Sequence, residues 1–127
     1  MGIQISVSHG EALDKISILE IKSERISDPG KLVHVHFELA HLRQRWQDAC
    51  GSCDIEDLRK RLKSINEALW DIEDRIRAKE KAGEFDESFI ELARQVYLTN
   101  DQRSQIKRQI NEALGSNIME QKEYASY

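Results

Sequence analysis

Apolar side chains recur at alternating steps of three and four through three long segments of this chain, and only a packed α-helix brings such positions to one side. The first segment carries Leu32, Val35, Leu39, Leu42, Trp46 and Ala49. The second carries Leu58, Leu62, Ile65, Leu69, Ile72 and Ile76, and the third Phe89, Leu92, Val96, Thr99, Arg103, Ile106 and Ile110. Punctuation agrees with this period. Asp28-Pro29 predicts a helix over Pro29 to Cys50, because the aspartate caps free N–H groups and proline suits the first turn. Asp54, with Asp57 three residues on, predicts the cap of a third helix and Asp86 that of a fourth. Gly51, Gly83 and Gly115 supply the stops. The last two helices, about 28 residues and roughly 42 Å each, are separated by so short a link that they must fold back as an antiparallel hairpin.

Ahead of these, Ser8-His9-Gly10-Glu11 matches the capping box and predicts a first helix from about Gly10 to Ser27. Ile3-Gln4-Ile5-Ser6-Val7 alternates apolar and polar, the period of an extended segment. The expected fold is all-α: an antiparallel four-helix bundle or close variant with a long helical hairpin. It forms a single domain over residues 1–127, with an extended arm over 1–8 and a tail over 116–127 that docks or stays mobile.

Charge limits the partners. Charged residues make up 33% of the chain with a formal net charge of −4, so nothing draws it to phosphate backbones or anionic lipid. The run Arg59-Lys60-Arg61-Leu62-Lys63 is diluted by Asp54, Glu56 and Asp57. No segment approaches the ~18 apolar residues of a membrane helix, and no signal core is present, so a cytoplasmic protein without nucleic-acid or membrane partners is expected. Two cysteines fit a reducing compartment.

Chemistry has few places to sit. Arg103 interrupts an apolar seam and needs an acceptor, for which Asn66, Glu73, Asn100 and Asp101 lie within a turn or two of the hairpin register. The role is either a structural pair or an anion site inside the bundle. Around it, Trp70, Glu73, Asp74 and Arg77 face Arg94, Tyr97, Asn100 and Asp101 across the hairpin, and with Arg103 they form the candidate binding face. Surface ion pairs at four-residue spacing account for much of that pattern, but Trp70 and Tyr97 sit one step off their seams, as contact residues do.

Cys50-Gly51-Ser52-Cys53, downstream of His34, His36 and His41, invites a zinc or redox reading. His41 and Cys50 are nine residues apart on one helix, about 13 Å of rise, and cannot share an ion. Cys50 ends a helix, whereas a redox C-x-x-C starts one. No metal and no cofactor are therefore expected, and the cysteines are read as ordinary loop residues. Glycine-rich phosphate loops, G-x-S-x-G and H-E-x-x-H are absent, so the chain leans away from being an enzyme.

The strings Leu13-Asp14-Lys15-Ile16-Ser17-Ile18-Leu19-Glu20-Ile21-Lys22-Ser23-Glu24-Arg25-Ile26, Leu69 to Arg77 and Phe89 to Asp101 resemble a small bacterial helical family of no assigned function. The resemblance covers nearly the whole chain. It implies an accessory place beside, or fused to, glycosyltransferases and repeat proteins of surface-polysaccharide gene sets, and carries over no catalytic residue.

Two functions are weighed. One is an interaction module presenting the Trp70–Arg77 and Arg94–Asp101 face to a protein partner. The other is a small helical enzyme or binding protein for an anionic metabolite, similar in style to chorismate mutase. A homodimer is expected as well, because the first helix carries Leu13, Ile16, Leu19 and Ile26 on one side and Ile18 and Ile21 nearly opposite. The second stripe needs a cover, from a second copy or from a tail folded back through Ile118, Met119 and Tyr124.

Overall fold

The computed structural model describes residues 2–126 and is all-helical, with no strand among the described residues. Helix α1 spans His9–Arg25, α2 Pro29–Cys50, α3 Glu56–Ala82 and α4 Glu87–Ala113. Three starts follow the capping expectation: the Ser8 hydroxyl accepts from the Glu11 N–H, the Asp28 carboxylate from Gly30 and the Asp86 carboxylate from Phe89. The start of α3 does not. Ile55 occupies the cap position with no side-chain bond, and Asp54 lies outside the helix, so acidic Glu56 and Asp57 in the first turn are left to answer the dipole. Gly83, at φ 68°, ends α3 in the left-handed conformation that a side chain strains to adopt.

The α3–α4 hairpin is the frame, and α1 lies across it, touching α2, α3 and α4. Helix α2 is laid along α1 and not along the hairpin. Layer order is therefore α2, α1, hairpin, a variant of the four-helix bundle in which the shortest helix is central. Central placement explains the two apolar stripes of α1. Leu13, Ile16 and Leu19 are buried, and so is Ile21, which lies on the side of Asp14 and Ser17 that meets the hairpin. Ile18, the other member of that second stripe, is half-buried.

Burial along the hairpin is uneven. Leu62 and Asn66 of α3, with Thr99, Ile106, Ile110 and Asn111 of α4, are buried under α1. No residue from 67 to 98 is, although the apolar seam continues without change. The distal hairpin projects past the end of α1 as a two-helix arm, and its own tip closes with an edge-to-face contact of Phe85 and Phe89, 5.2 Å between ring centres. No helix is long and apolar enough to cross a membrane.

Candidate functional site

Where α1 crosses the hairpin, three helices contribute polar side chains to one buried cluster. Asp14, 1% exposed, accepts from Arg103 Nε at 2.9 Å and from a second guanidinium nitrogen of the same residue. The Asn66 amide nitrogen donates to Asp14 at 2.9 Å and to the Ser17 hydroxyl oxygen at 2.7 Å, while that hydroxyl donates to the Asp14 carbonyl at 2.8 Å. Asn100 adds a long contact to Arg103 at 3.4 Å.

The acceptor expected from the third or fourth helix thus comes chiefly from the first, 89 residues away. The hydrogen bond to the Asp14 carboxylate raises the Arg103 guanidinium above its ordinary value against the opposing effect of burial. With the charge of Arg103 answered by a bidentate carboxylate, the seam arginine is not a free anion receptor. Sequence reasoning missed Asp14 and Ser17 because both sit on a helix whose neighbours were unassigned. A signal existed: polar residues interrupt the apolar faces of all three helices, at Asp14 and Ser17, at Asn66, and at Thr99 and Arg103, and buried polar groups must find each other.

Next to this cluster α1 and α4 come unusually close. The Gly10 N–H donates to Asn111 Oδ1 at 2.7 Å, and a Cβ at Gly10 would stand 2.5 Å from the Lys107 carbonyl oxygen. Lys107 bridges Glu11 at 2.7 Å and Glu120 of the tail at 3.0 Å. Burial lowers the affinity of its amine for a proton, but the two carboxylate bonds outweigh that and raise it.

The other sequence-nominated residues distribute along the hairpin. Trp70 lies beneath the Arg25 guanidinium, 5.9 Å from its ring centre, and Arg25 also pairs with Asp71 at 2.6 Å. Glu73 pairs with Arg77 within α3 at 3.5 Å, and Asp74 is exposed. Arg94 pairs with Glu91 at 3.3 Å, and its guanidinium is raised above the ordinary value by the Tyr97 hydroxyl first and Glu91 second. Tyr97, Asn100 and Asp101 come together, with Val96, around a concavity of about 510 Å³ whose far side is Lys122, Tyr124 and Ala125. The tail runs beside α4, tied to it by Glu120, while its side chains from 117 to 126 stay exposed.

A continuous stripe connects these positions. On α3, Arg59, Lys63, Asn66, Trp70, Glu73 and Arg77 follow at steps of four and three, one side of a helix. The first four engage α1, through Glu20 at 3.7 Å, Glu24 at 2.9 Å, the Asp14 cluster and Arg25. Glu73 and Arg77 continue the same side past the end of α1. The groove that seats α1 runs on, unfilled by α1, into the distal arm.

Cys50 and Cys53 are joined as a disulfide, their Cα atoms 5.5 Å apart, where free loop cysteines were expected. The bond closes the turn between α2 and α3, a corner where a residue placed after a helix stop can double back. Cys50 and His41 are not brought together, and among the described residues no group of three His, Cys, Asp or Glu side chains converges as a metal site would.

No curated protein and no solved structure matches the chain significantly. A family profile does match, over residues 3–127, nearly the full length, and its description assigns no function to its members. The chain belongs to DUF6165, a family of unknown function.

Proposed function

We propose that this protein is a helical interaction module and that its docking element is the distal α3–α4 arm, paired with the arm of a second copy. The observation that carries this reading is the unfilled continuation of the α1 groove. Residues 67–98 keep the apolar seam of a packed hairpin without one buried side chain, and Trp70, Glu73 and Arg77 prolong the side of α3 that α1 occupies lower down. A second arm laid antiparallel about a two-fold axis near Arg75 would set Glu73 of each copy against Arg77 of the other, an isologous and self-complementary contact. Half-buried Val96 and Phe89, and exposed Ile90 at 55%, supply apolar area to the same arm. The anionic-metabolite reading built on Arg103 loses its cation to Asp14.

On the sequence resemblance we further propose that the module is an accessory of the glycosyltransfer machinery of surface polysaccharides, the remaining arm surface meeting that protein partner.

Sedimentation at micromolar concentration tests the pairing. A species of twice the chain mass is expected, weakened by Glu73→Arg or Arg77→Glu alone and restored when both exchanges are combined. Circular dichroism of each variant controls for helix loss. A monomer at every concentration reached, or a dimer indifferent to both exchanges, refutes it.

A further inference from the structure

The N-terminal arm, α1 and α2 enclose a second concavity, of about 530 Å³, on the opposite side of α1 from the Asp14 cluster. We infer that this cleft binds a small organic anion, a carboxylate or phosphate carried on an apolar body. The volume is that of a small-molecule site. Its walls separate into two chemistries. Val7, Ile16, Leu42 and Trp46 supply the apolar part of the lining, with the exposed Ile5 at its rim.

At its edge stand Lys15 of α1 and Arg45 of α2, and among the described residues neither forms an ion pair or hydrogen bond. This contrasts with Arg25, Arg43, Arg59, Lys63, Lys79, Arg103 and Lys107, each of which has a carboxylate within 4.0 Å. The two lie on one lining, so their charges act on the same cleft.

A third observation points the same way. His9 lines the cleft with its ring edge-on to Trp46 at 6.0 Å, and its Nδ1 is buried without a hydrogen-bond partner, a condition that native structures generally satisfy through water or ligand. His9 is also the first residue of α1, whose dipole adds partial positive charge at that end. Glu38 is the acidic residue on the lining, against Lys15 and Arg45. An arginine fork favours a planar carboxylate or a phosphate over a halide-like sphere.

The site stands on residues separate from the distal arm, so its test is independent of the pairing proposed above. Amide and Trp46 indole resonances are followed by NMR while the intact protein is titrated with phenyl phosphate, phenylacetate, inorganic phosphate and benzyl alcohol. Saturable shifts at His9, Lys15, Arg45 and the Trp46 indole are expected with phenyl phosphate or phenylacetate, and the tighter of the two identifies the head group. Lys15→Ala and Arg45→Ala, both on exposed side chains, should each weaken that binding about tenfold, a change of roughly 1.4 kcal/mol. Equal affinity for benzyl alcohol, equal affinity for inorganic phosphate, unchanged binding in the double variant, or no saturable shift with either aromatic anion would overturn the inference.

Discussion

The two halves of the α3–α4 hairpin share one pattern and differ in fate. Near the base, Leu62 and Ile110 are 0% exposed; toward the tip, Ile72, Ile76, Phe89 and Leu92 occupy equivalent seam positions and remain half-exposed. Helix propensity and spacing are alike, so neither sets the difference. What sets it is a third layer: two helices alone shield only the seam between them, and α1 closes the remaining side at the base. Periodicity specifies which side of a helix seeks burial, whereas topology decides how much burial it finds.

The largest expected effect separates the halves directly. Leu62→Ala should cost about 4 kcal/mol by urea unfolding, since its cavity has no solvent to collapse toward, while Ile76→Ala should cost about 1 kcal/mol. These costs refer to the separate chain at high dilution; at micromolar concentration, where the arms pair, the cost of Ile76→Ala should rise toward that of Leu62→Ala.

Next in size is the buried pair. Asp14→Leu leaves the Arg103 guanidinium without its carboxylate and should cost roughly 3 kcal/mol, the lower end for such pairs because Arg103 retains some exposure. Adding Arg103→Met should recover most of that loss if the role is structural. Failure to recover would show that the cluster contributes through Asn66 and Ser17 as well.

A smaller change attacks the cover itself. Gly10→Ala presses a methyl group on the backbone of Lys107, where nothing flexible can yield, and should cost about 2 kcal/mol by lifting the start of α1. Amides of the proximal hairpin should then exchange at rates closer to those of the arm.

Least in size is a pH effect confined to the tip. Asp86 is held below its ordinary value of 3.8 by Lys79 first and by the Phe89 N–H second. A depressed carboxyl stabilises the fold above that ordinary value and loses its contribution as pH falls through the depressed one. Below about pH 3.8 the start of α4 should fray, seen as faster exchange at Phe89, with the base of the hairpin unaffected.

Much of the fold was legible because its signals are local. The capping serine and aspartates, the three-four spacing and the αL glycine act within a turn or two, and they located every helix to within a few residues. Asp54 misled because a good capping residue near a start is outvoted when the disulfide corner and Ile55 set the entry of the chain. The central cluster was half legible: Arg103 announced itself on an apolar seam, but Asp14 could be assigned only once α1 was known to cross the hairpin. Of the second stripe of α1, Ile21 is buried and Ile18 half-buried, a difference that spacing alone does not encode. The cleft beside α2 left no local mark, since His9, Lys15 and Arg45 come to one lining only when α2 is laid along α1.

Placing the shortest helix at the centre also orders events in time. Helix α1 leaves the ribosome first, yet Arg103, the partner of its buried carboxylate, follows 89 residues later. At usual elongation rates of roughly 5–20 residues per second, that interval lasts about 4 to 18 s. The α3–α4 hairpin, joined by a short turn, can zip locally as soon as it is made, and α1 can pair early with α2, but the side of α1 that carries Asp14 and Ser17 has no cover until the hairpin exists. A refolding experiment should therefore find the Asp14–Arg103 contact among the last to form.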